Sequence, residues 1–81
     1  MKQKINILLV EDEAIIAKYL SCELELEGYN VCACVPTGEE AIEKSIELNP
    51  DLILMDINLL GEMNGIEATE KIFKRKKIPF L

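Results

Sequence analysis

The sequence predicts an α/β fold, a doubly wound parallel sheet with the element order βαβαβα and the start of a fourth strand. Three observations carry this. Short aliphatic runs recur at "INILLV" (5–10), "YNVCACV" (29–35) and "DLILM" (51–55), each of strand length and closed by acids, proline or a turn residue. Amphipathic stretches of helical period separate them. Strands that alternate with helices imply a parallel sheet, right-handed crossovers and helices on both faces.

Each element has a local cause. "INILLV" is aliphatic with one polar interruption and stops at Glu11, as a buried strand does. In the first helix Ile16, Leu20 and Leu24 lie four apart on one stripe, flanked by Ala17 and Tyr19, and Gly28 supplies a C-terminal stop. Pro36 closes the second strand. Thr37 then caps the second helix, with Glu40 three residues on as in a capping box. Its apolar face is Ala41, Ile42, Ser45, Ile46 and Leu48. Asn49-Pro50 ends that helix, because a residue before proline is pushed out of the α region. After a loop from Ile57 to about Asn64, a third helix carries Ile66, Thr69, Ile72 and Phe73. It ends in "KRKK" (74–77), cations suited to the negative end of a helix dipole; a partner-binding patch is the alternative. "IPFL" (78–81) reads as the start of strand four.

Composition narrows the function. The 81 residues suit one small domain, and a hydrophobic fraction of 49% with 30% charged residues makes it globular. The net charge of −6 argues against a nucleic-acid binder. No signal peptide or run of transmembrane length is visible, so a soluble cytoplasmic protein is expected. There is no histidine and there are three cysteines, Cys22, Cys32 and Cys34, which puts a four-ligand zinc site within one chain out of reach. Cys32 and Cys34, two apart in a strand, are expected on one face as small packing residues in a reducing compartment. A redox role is the alternative.

Ligands in such folds bind at the carboxyl ends of the strands, where the winding reverses. Glu11 and Asp12 follow strand one, and Asp56 follows strand three. If those strands are neighbours, three carboxylates converge. They would repel and raise one another's pKa values, and a divalent cation removes that penalty. Oxygen-only ligands select a hard ion, Mg²⁺ foremost. Glu13 is placed in the first helical turn, where its charge suits the dipole. The plainer reading is that these are ordinary acids at strand ends.

"ILLVEDE", "GYNVCACVPTGEEAIE" and "PDLILMDINLLGEMNGIEA" together resemble the receiver domain of two-component response regulators, in register along the whole chain. The resemblance implies a flavodoxin-like fold and assigns roles. Asp56 matches the phosphoacceptor. Glu11 and Asp12 match the acidic pair that holds Mg²⁺. Asn58 matches the position whose backbone carbonyl completes the metal shell, and Gly65 a turn glycine before the third helix. It further implies a signalling module rather than a turnover enzyme, with a sensor histidine kinase or phosphotransfer protein as phosphodonor. Leu60 and Asn64 stand where receivers commonly carry proline and aspartate. The family's hydroxyl residue after strand four and lysine after strand five have no counterpart in the 81 residues. The chain is therefore expected to represent the N-terminal two-thirds of a receiver (1–81), with an exposed sheet edge through which it could dimerise.

Three rivals remain. Counting Asp56 as position 1 of a Ca²⁺-binding EF-hand loop puts Asn58 at 3, Gly61 at 6, Asn64 at 9 and Glu67 at 12, although a strand rather than a helix precedes it. A phosphatase with an aspartyl nucleophile would want a general acid where Asn58 stands. A receiver-like interaction module without phosphotransfer leaves the three acids without a task.

Overall fold

The computed structural model describes residues 4–56, 63–75 and 78–80. Its elements are β1 (Asn6–Val10), α1 (Ala14–Leu26), β2 (Asn30–Val35), α2 (Gly38–Leu48), β3 (Leu52–Met55) and α3 (Gly65–Arg75). The strands pair in parallel in the order β2-β1-β3. The chain then returns beside β3. Phe80 bridges Ile53 in parallel, and the Ile53 N–H donates to the Pro79 carbonyl at 3.0 Å. This parallel bridge lies within the segment where the start of a fourth strand is expected.

Alternation along β1 divides the molecule into layers. Leu8 and Val10 join Val35, Ala41, Ile53, Ile72 and Ile78 in one buried cluster under α2 and α3. Ile7 and Leu9, equally buried but outside that cluster, point the opposite way, toward the face where α1 lies and buries Ala17. Both sheet faces are thus covered, as a doubly wound fold requires.

The helix ends follow their sequence signals. α1 closes with the Tyr29 N–H on the Leu24 carbonyl, the Gly28 N–H on the Glu25 carbonyl, and Gly28 at φ 97°. This is a Schellman ending, and its left-handed residue favours glycine. The Glu40 N–H donates to Thr37 Oγ1 at 3.2 Å, so Thr37 caps α2. Asn49 leaves α2 in the left-handed region, at φ 49°.

Four local expectations need correction. Gly65 has no positive φ; it is the buried first residue of α3. Glu13 is the N-cap of α1 rather than part of its first turn, and its side chain caps nothing. The β1–β2 register skips Cys32, with Ile7 opposite Val31 and Leu8 opposite Ala33. The skip is a β-bulge. Cys32 consequently packs against the α2–α3 core, while Cys34 lines a cleft beside α1. The third helix also buries only part of the expected stripe, Ile72 fully and Thr69 by half. Gly65, Ala68 and Ile72 are inside, whereas Ile66 and Phe73 are 58% and 45% exposed.

The reason is a close approach of the two helices. α2 buries Gly38, Ala41 and Ser45, with the same spacing as Gly65, Ala68 and Ile72 on α3. A Cβ on Gly38 would lie 3.1 Å from the Ala68 Cβ and 3.3 Å from the Met63 carbonyl. Small residues set that distance, so the larger ones are displaced outward.

Candidate functional site

Backbone hydrogen bonds beyond the strand ends bring the acids together. The Glu11 N–H donates to the Val35 carbonyl at the end of β2, and the Asp56 N–H to the Val10 carbonyl at the end of β1, both at 3.0 Å. The parallel ladder thus runs one residue past each strand and fixes the Cα positions of both acids. Asp12 follows in the turn before α1.

A carboxylate oxygen from each of Glu11, Asp12 and Asp56 lies within 4.8 Å of the others, and all three residues are half-buried. Burial raises the Glu11 pKa first. The neighbouring Asp56 charge and contacts with Asp12 and Asp56 raise it further, against a lowering by the Glu13 N–H. That N–H donates to Glu11 Oε2 at 3.2 Å. The acids stand between two clefts. One, of about 480 Å³, is lined by Glu11, Asp12, Ala17, Lys18, Cys22 and Cys34 among others. The other, of about 270 Å³, lies beneath Asp56 against Leu9, Leu20 and Leu54.

These residues fit a hard divalent cation: oxygen donors only, from two strand ends, held close at an electrostatic cost that an ion would relieve. Asn58, the expected carbonyl ligand, lies outside the described residues, as do Leu60 and Gly61.

The EF-hand reading meets two contrary observations. Leu52–Met55 is a strand, not a helix. The two downstream ligand candidates are also committed elsewhere. The Glu67 N–H donates to Asn64 Oδ1 at 2.9 Å, and the Asn64 N–H to Glu67 Oε1 at 3.2 Å. This reciprocal pair is a capping box for α3. The spacing Asn64-x-x-Glu67 is the sequence signal for it, and the calcium alternative counts the same two residues as ligands.

Residues 7–81 match the family described as the response regulator receiver domain. The chain belongs to that family. Receiver domains are signalling modules of two-component systems, and they bind Mg²⁺ through acidic residues. The receiver is 42% identical over 79 residues to a protein-glutamate methylesterase/protein-glutamine glutaminase of Carboxydothermus hydrogenoformans, covering 96% of the chain and 22% of that protein. It is 41% identical over 69 residues to the chemotaxis protein CheY of Thermotoga maritima, covering 85% of the chain and 57% of CheY. Among solved structures, the response regulator domain of Thermotoga maritima CheB superposes with a TM-score of 0.91 at 35% identity, over 96% of the chain and 58% of that domain. The receiver thus spans less than two-thirds of these relatives. Among the described residues no helix is long and apolar enough to cross a membrane.

Proposed function

We propose that this receiver accepts a phosphoryl group on Asp56, with Mg²⁺ held by Glu11, Asp12, Asp56 and the backbone carbonyl of Asn58. The observation that carries the reading is the convergence of three carboxylates within 4.8 Å at the carboxyl ends of neighbouring strands. Phosphoryl transfer asks for positioning and charge neutralisation more than for covalent machinery. The surroundings of Asp56 suit both requirements: its backbone is pinned to β1, and the two acids beside it would hold the neutralising cation.

In the proposed step an Asp56 carboxylate oxygen attacks phosphorus. The bond between phosphorus and the donor's leaving group breaks, and an aspartyl phosphate remains. The cation supplies charge neutralisation between the carboxylate and the phosphoryl oxygens when bound. Glu11 and Asp12 would hold it. These 81 residues contain no histidine, so a phosphohistidine donor lies outside them, as a sensor histidine kinase or a phosphotransfer protein would supply. The module acts in the cytoplasm, where such donors and Mg²⁺ are available.

Intact mass after incubation with acetyl phosphate and Mg²⁺ tests this. The expected result is a metal-dependent gain of one phosphoryl group that Asp56→Ala abolishes. A gain that persists in that variant would transfer the role to another side chain, and an unphosphorylated chain whose Mg²⁺ affinity is unaffected by Asp12→Ala would remove the metal assignment.

A further inference from the structure

α1 carries two apolar stripes, and the sheet uses one. Ala17, Leu20, Ser21 and Leu24 are its buried and half-buried residues. On the opposite side Ile15, Tyr19 and Leu26 are 86%, 63% and 81% exposed, and Cys22 between them is exposed as well. The spacings along Ile15, Tyr19, Cys22 and Leu26 are four, three and four. That alternation is the d-a-d-a seam of a coiled coil, and it sets Ala17 and Leu24 at the f positions diametrically opposite. Isolated apolar residues on a surface need no explanation, but four in a helical seam form a contiguous ridge.

The flanks say what fits there. In the same heptad Lys18 is a g position and Glu23 an e position. Two helices in parallel bring g of one beside the following e of the other, five residues on. Lys18 and Glu23 are that pair, and they have opposite sign. Within Ala14–Leu26 no other g position has its e partner, so every complete flank contact across a parallel pair is attractive, once on each side. Neither residue takes part in the ion pairing seen among the described residues. In an antiparallel pair the g positions Lys18 and Glu25 would face each other, but Glu23 would lie against Ile16, so only the parallel pair sets Lys18 against Glu23.

We infer that α1 is a self-association surface, and that a second copy of this chain docks there in parallel, seam on seam, with Lys18 of each copy beside Glu23 of the other. The seam is under two heptads long, so the dimer is weak, with a dissociation constant on the order of 100 μM. Tyr19 fills the central a layer, and Cys22 meets its counterpart at d. The Cys22 pair then reports the arrangement. Thiol–disulfide exchange with oxidised glutathione joins the two Cys22 sulfurs, each losing its proton, while the glutathione disulfide is reduced to two glutathione thiols.

Sedimentation velocity across a concentration series is the test, with circular dichroism confirming the fold of each variant. The expected result is a concentration-dependent dimer that Lys18→Glu or Glu23→Lys weakens roughly tenfold or more, through repulsion on both flanks. The double variant K18E/E23K should return to within about threefold of the parent, since the pair is only exchanged. In a Cys32→Ser/Cys34→Ser background, oxidised glutathione should give a Cys22-linked dimer. Sedimentation as a monomer up to millimolar concentration would overturn the inference. So would failure of the double exchange to restore association, which is the result an antiparallel pair or a different face would give.

Discussion

Asp12→Asn should stabilise this receiver in the absence of divalent metal and lose that advantage when Mg²⁺ is present. The magnitude follows from the site. Each carboxylate oxygen of the triad is within 4.8 Å of the others. Two unit charges at that distance repel by about 1 kcal/mol at the permittivity of water and by about 3.5 kcal/mol at an effective value of 20. Neutralising Asp12 removes two such pairs. The residues are half-buried and their side chains can turn apart, so the lower end of that range applies and a gain of about 1–2 kcal/mol is expected at low salt. For a domain of this size each kcal/mol moves the melting temperature by roughly 4–8 °C. Mg²⁺ at about a hundred times its dissociation constant would stabilise the parent by about 2.7 kcal/mol, and the variant, short of one ligand, by far less. The order of melting temperatures should therefore invert between chelator and saturating Mg²⁺. Thermal unfolding followed by circular dichroism reads both conditions. A variant less stable than the parent in chelator would show that the three charges are not in electrostatic contact. Equal stabilisation of both proteins by Mg²⁺ would show that Asp12 holds no metal.

Three further expectations follow from individual contacts. Glu11 has a raised pKa in the folded state, so the native protein binds the extra proton; metal-free stability should fall as pH rises from the ordinary glutamate range through the raised value, and Mg²⁺ should flatten that slope in urea melts at several pH values. Gly38→Ala places a methyl group 3.1 Å from the Ala68 Cβ and 3.3 Å from the Met63 carbonyl; crowding should outweigh the better helix propensity and cost about 1 kcal/mol in chemical denaturation. Glu67→Ala removes half of the capping box with Asn64 and should cost about 0.5–1 kcal/mol by the same measurement, with no Ca²⁺ dependence in either protein.

Strand and helix order was legible because each element obeys a local rule. Aliphatic runs such as Ile7–Val10 have no alternative to burial, and Gly28, Thr37 and Pro50 punctuate the chain where only a few backbone conformations are open to them. The start of a fourth strand was visible from "IPFL" alone, and Phe80 forms a parallel bridge to Ile53 there. Register was not legible. Nothing in "NVCACV" marks Cys32 as the skipped residue, since a bulge depends on the partner strand and leaves no composition signal here. The buried face of α3 was misjudged for a related reason. A count of large apolar residues selects Ile66 and Phe73, but the helix spacing is set by Gly38, Ala41 and Ala68, whose importance lies in the volume they do not occupy.

The site was legible to the extent that topology supplies proximity. Glu11 and Asp56 are 45 positions apart in sequence, and no helical or strand period connects them. What connects them is the placement of β1 beside β3, a parallel ladder that carries both acids one step beyond its last paired residues. Once strand order was assigned, convergence at one end of the sheet was unavoidable, because parallel neighbours end together. The electrostatic penalty of that convergence is then informative in itself. A domain of this size has only a small stability margin, and three half-buried carboxylates at close range consume part of it with no packing return. On the proposed reading a cation held between the three acids would offset that cost, and neutralising the charge beside Asp56 would leave it a competent nucleophile.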